Sequence, residues 1–170
     1  MINTGQMLLV LGALTIFSLT LPSLNQSLLY NDRTLIATNA EMAAMSLAEK
    51  VLAEAGAMAF DEVCLTTKPQ LTSQLTNINA LGPESGESYP QFDDMDDFHG
   101  ATIRDSITMP SVLFNINSSV SYIDPLNPTT EVGYKTFVKK LVVTVTGPYL
   151  INPASEQNVQ IKMEQLYSFY

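Results

Sequence analysis

The chain has 170 residues, enough for one domain or for one domain with an appendage. Its 8 Lys and Arg stand against 17 Asp and Glu, and the surplus lies in residues 1–100, which hold 3 basic and 12 acidic groups. Such a balance repels phosphate backbones and excludes nucleic acid as a partner. One Cys, one His and no Trp leave no internal disulfide, no Cys/His metal set, no nucleophile–histidine pair with a second base and no Trp platform for sugars. No Gly-rich phosphate loop is present either, so no enzymatic activity is expected.

The first 31 residues carry no charge, and Met7–Leu21 reads MLLVLGALTIFSLTL. Met7, Leu8, Leu9, Leu11, Leu14, Ile16, Phe17, Leu19 and Leu21 supply its bulk. A bilayer span needs roughly 20 apolar residues, so this run enters lipid but is marginal for crossing it. A secretory signal would open with basic residues and close on a small-residue cleavage motif; here the first basic residue is Arg33 and the run ends in Leu21-Pro22-Ser23. A segment that lives in lipid only temporarily fits better. The helical pattern then continues through Ala40, Ala44, Leu47, Val51, Ala55 and Ala59, with Glu41, Glu49, Lys50 and Glu54 on other faces.

Residues 1–60 are therefore read as one helix, starting near residue 3, with residues 1–31 as its membrane or filament-core part. At about 1.5 Å per residue it would be on the order of 85 Å long, more than one domain can cover. Pro22 lacks an N–H and crowds the carbonyl of Ser18, which predicts a kink or loosened turn over residues 18–22. Gly12, Ala13, Ser18, Ala37, Ala40, Ala43, Ala44 and Ala48 offer small faces on which helices can approach closely.

Residues 61–170 are read as a loop region followed by a sheet. Lys68-Pro69, Leu81-Gly82-Pro83, Tyr89-Pro90 and Gly100 carry turn chemistry. Alternation then predicts strands over Ser111–Ile123, Lys135–Thr146 and Asn158–Tyr170, joined by turns at Asp124–Pro128, Gly147-Pro148 and Asn152-Pro153. Three or four antiparallel strands would lay one apolar face on the second half of the helix. The expected fold is α+β.

Asp93, Asp94, Asp96 and Asp97 are the one candidate for chemistry. Three readings stand open. They gather oxygen ligands around calcium; they cap backbone amides or face water while Phe92 and Phe98 anchor the loop; or they pair with Lys135, Lys139, Lys140 or Arg104. The alternating register and closing Glu of an EF-hand are missing. His99 decorates the same loop, and nearby carboxylates would give it a pH response. Cys64 is read as a small, buried apolar side chain near the end of the helix.

The apolar helix, Pro22, the FDDMDDFHG loop at 92–100 and the later LVVTVT run at 141–146 together resemble the type IV pilin superfamily of pilins, minor pilins and pseudopilins. The loop is similar to the FDD-x-DDY-x-G loop of MSHA-type minor pilins. The resemblance implies an N-terminal helix that anchors the subunit in the inner membrane and later forms the core of a helical filament, with the sheet facing outward. The family often carries a helix-kinking proline at the position of Pro22. It also carries a Glu near the start of the apolar segment, where this sequence has Gly5 and Gln6. That leaves hydrophobic packing, with Gln6 as a candidate polar contact, to set the register between neighbours. Met1 is taken as the filament N-terminus.

The expected function is thus a structural, homo-oligomeric subunit of an extracellular filament at the cell surface. Two alternatives stand beside it: a minor pilin or pseudopilin that primes or caps a filament, and a membrane-anchored surface binding module.

Overall fold

The computed structural model describes residues 3–110 and 112–169. Met1, Ser111 and Tyr170, which figure in the sequence expectations, lie outside them.

Helix α1 spans Thr4–Ala57, about 80 Å at 1.5 Å per residue. Asn3 caps it: its side chain accepts from the Gly5 amide, and Gln6 Oε1 returns a bond to the Asn3 amide. This is the reciprocal capping arrangement that satisfies otherwise orphaned donors at a helix start. The helix runs on through Pro22, so the residue that cannot donate to Ser18 interrupts a bond without ending the element. Its first buried position is Ala37, followed by Ala40, Ala44, Leu47, Ala48, Val51, Leu52 and Ala55. That three-and-four spacing is one stripe of a helix laid on a sheet, and its alanines keep the approach close.

The chain leaves α1 through a short helix, α2 (Val63–Thr66), and turns at Thr72–Gln74, Ile78–Ala80 and Asp96–Phe98. The sheet comprises β1 (Thr102–Asp105), β2 (Phe114–Asp124), β3 (Asn127–Glu131), β4 (Val138–Thr146) and β5 (Ile161–Ser168). Its order is β1-β2-β4-β5, all neighbours antiparallel, with β3 folded back on the end of β2. The fold is α+β, as the sequence implies. Two short strands go beyond the expected set: β1, and β3, whose first residues fall in the predicted turn at Asp124–Pro128.

In β2 every second residue from Phe114 to Tyr122 is buried, and in β4 the buried positions are Lys139, Leu141, Val143 and Val145. Of these, Phe114, Ile116, Val120, Leu141, Val143 and Val145 meet the alanine stripe of α1, together with Phe92, Met95 and Phe98 from the acidic loop. Lys139 stands on the core side because strand parity puts it there with Leu141.

Candidate functional site

Two features of the molecule call for a partner or for chemistry. The first is the outer half of α1. From Asn3 to Arg33 every residue is exposed. The predicted assembly residues Met7, Leu8, Leu9, Leu11, Leu14, Ile16, Phe17, Leu19 and Leu21 are uncovered, from 48% at Leu21 to 77% at Leu19, and Pro22 is exposed among them. The helix contains an apolar window of mean hydropathy 2.0, none of it buried, which by length and composition can cross a membrane. Gln6 is occupied by the cap of its own helix. Thr15 and Thr20 turn their hydroxyls back onto the carbonyls of Gly12 and Phe17, so these two hydroxyls are satisfied along the helix and leave the outer surface of the run greasy.

The second feature lies where α1 meets the sheet. The acidic loop docks on the helix exit: Met95 N donates to Ala59 O at 2.9 Å and Ala59 N to Asp93 O at 3.3 Å. Within the loop, Asp94 Oδ1 accepts from the amides of Asp96 and Asp97, while Asp97 Oδ2 accepts from those of Asp93 and Asp94. The two carboxylates thus cap each other's backbone. Phe92 and Phe98 pack edge to face at 5.1 Å and hold the loop to the core. His99 Nδ1 sits 2.8 Å from Val120 O and 3.2 Å from Val120 N, which ties the end of the loop to β2.

Asp96 points the other way, to Lys139. The ammonium of Lys139 is fully buried and touches Asp96 Oδ1 at 2.6 Å, Asp61 Oδ2 at 2.8 Å and Phe60 O at 2.8 Å. The rings of Phe60 and Tyr122 lie over it at 4.5 and 5.2 Å. Asp61 is also fully buried and further accepts from the Val63 and Thr76 amides, the Thr76 hydroxyl and the Tyr122 phenol. Burial alone would raise Asp61, but the Lys139 charge and these hydrogen bonds hold it below the usual carboxylate range. Asp96 goes the opposite way: burial pushes it up to about 6 against the pull of Lys139. Burial, with Asp96 and Asp97 beside it, pushes Asp94 up to about 8. Among the described residues, one oxygen each of Asp94, Asp96 and Asp97 is buried without a hydrogen-bond donor.

The four predicted carboxylates therefore separate. Asp94 and Asp97 cap the loop, Asp96 joins Lys139, and Asp93 is exposed. Of the predicted cationic partners, Lys139 takes Asp96, Lys140 takes Glu131 at 2.7 Å, and Lys135 donates to the carbonyls of Ser73 and Leu75. Among the described residues, the acidic oxygens close enough to share a hard cation belong to Glu84, Glu87 and Asp97, all within 4.8 Å of one another. Partial burial, with Glu84 and Asp97 beside it, pushes Glu87 up to about 7. Cys64 is half-buried and unpaired in α2, and burial raises its thiol.

Sequence reasoning missed Asp61, which stands just past the helix with no motif around it. The signal that was present is the parity of β4, which sends Lys139 inward and so demands a buried acid. Comparisons of the chain with protein-family models, with curated proteins and with solved structures return no match.

Proposed function

We propose that this protein is a pilin-like structural subunit that polymerises through α1 into an extracellular filament. One observation carries the reading: the head buries its own core, yet more than half of α1 projects with large apolar side chains exposed. Isolated exposure of that size is unfavourable in water and marks an interaction surface. Lipid covers it before assembly, with the subunit held in the inner membrane; the same segments of neighbouring copies cover it afterwards. At about 25 cal/mol per Å² a few hundred Å² of apolar surface per subunit contributes several kcal/mol. A head-to-tail contact that does not close into a ring repeats that gain along a helix of subunits.

With Gly5 and Gln6 where the pilin superfamily has its Glu, packing of the Met7–Leu21 segment supplies the association energy. The reading is tested by shearing producing cells, then examining the released material by electron microscopy and identifying its subunit by mass spectrometry. Thin filaments built of this chain are expected. A chain that stays as a monomer in detergent-solubilised membranes overturns the proposal and favours an anchored binding module.

A further inference from the structure

We propose that Lys139 and Asp96 condense into an intramolecular isopeptide bond, with Asp61 as the base that moves the protons. Asp96 Oδ2 is a carboxyl oxygen buried beside an ammonium, with no hydrogen-bond donor among the described residues. A charge trio of one lysine and two aspartates, all at most 2% exposed, is costly to hold apart from water. Condensation removes both difficulties: the ammonium becomes an amide nitrogen, and one oxygen of Asp96 departs as water.

The geometry assigns the roles. Asp61 is fixed by Thr76, Val63 and Tyr122, and its oxygens are fully engaged. Asp96 has the Lys139 ammonium at 2.6 Å and, beside it, the Asp61 carboxyl. One ammonium facing two carboxyls leaves one of them to carry a proton, and the oxygen without a donor is the one on Asp96. Asp96 is therefore the neutral acid that can be attacked, and Asp61 the carboxylate that accepts. Nucleophilic amines work in this way when desolvated beside a positioned base. The rings of Phe60 and Tyr122 and the surrounding core keep out the water that would compete or hydrolyse.

The step balances without any further reactant. Asp61 takes a proton from the Lys139 ammonium, and the freed lone pair forms the Nζ–Cγ bond to Asp96. The Cγ–Oδ2 bond breaks. Its oxygen, already bearing the acid proton, leaves as water with a second proton from the nitrogen, relayed by Asp61. One ammonium, one carboxylate and one carboxylic acid become one amide, one protonated Asp61 and one water.

The bond would join the acidic loop, which closes over the exit of α1, to the interior strand β4. It would clasp the head of a subunit at the point where a pull on α1 enters the sheet. The test is the intact mass of the full chain, solubilised in detergent and then denatured, against a Lys139→Met variant corrected for the substitution. The expected wild-type mass is one water lower, with peptide mapping joining Lys139 to Asp96. Equal masses, a water loss mapped to a cyclised aspartate elsewhere, or a link from Lys139 to Asp61 would each overturn the proposal.

Discussion

The phenol of Tyr167 donates to Leu52 O at 2.5 Å, and its ring lies where a side chain on Gly56 would stand: a Cβ there would come within 2.9 Å of the ring. The missing side chain lets β5 lean on the last turns of α1. A greasy helix becomes the handle of a folded head through contacts of this sort.

Replacing Gly56 by Ala sets two effects against each other. A Gly→Ala change gains at most about 1 kcal/mol of propensity, the helix-interior value, since Gly56 is the second-to-last residue of α1, and forcing the Tyr167 ring aside costs about 1–3 kcal/mol. The ring is expected to decide the sign, so Gly56→Ala lowers the melting temperature of the head. In a Tyr167→Ala background, where the clash is gone, the same change raises it. Thermal unfolding by circular dichroism reads both.

Asp61→Ala takes one of two carboxylates from the buried Lys139, leaving it Asp96 and Phe60 O, and removes the acceptor of the Thr76 amide and hydroxyl. Breaking a buried pair on one side costs about 3–5 kcal/mol, because the surviving charge stays buried. A loss of that size in chemical denaturation is expected. A loss below about 1 kcal/mol, the value of an exposed pair, would contradict the buried placement.

Asp94 gives the head a pH dependence of defined sign. Its folded pKa is raised to about 8 from an ordinary 3.8 by burial, with Asp96 and Asp97 beside it, so the folded chain holds that proton more tightly than the unfolded one. Its contribution to stability is complete below about pH 4 and is lost as the pH rises through about 8. Asp94→Asn removes the titration. The variant's unfolding free energy, measured from pH 5 to 9, is expected to fall less steeply than that of the wild type; parallel profiles would show that Asp94 titrates normally.

Leu14→Asp places a charge in the middle of the exposed run. Leu14 is 58% exposed and makes no part of the head core, so the head is expected to melt at the wild-type temperature. A carboxylate at the centre of an apolar helix costs about 3 kcal/mol on insertion into lipid, and a comparable loss at every subunit contact is expected to abolish sheared filament.

Much of this architecture is legible in the residues themselves. Ala40, Ala44, Leu47, Val51 and Ala55 repeat at helical spacing, and the structure buries all five, whereas Ala59, the last member of the expected pattern, lies past the end of α1 and is half-buried. The alternations in β2 and β4 are equally plain. β3 is hidden because Asn127-Pro128-Thr129-Thr130-Glu131 is exposed throughout and has no apolar parity to read. β1 is only four residues long. The acidic loop reads as polar, yet Asp94, Asp96 and Asp97 are buried, since their partners are backbone amides of the loop itself and a lysine on a strand 43 residues away. Pairings of that range are set by the fold and leave no local pattern.

The most direct test of the central claim is a helical reconstruction of the filament by cryo-electron microscopy. Met7–Leu21 is expected at the filament axis, packed on the same segment of other copies, with the five-stranded head outward. Filaments joined head to head with α1 outside the core, or no filament at all, would contradict it.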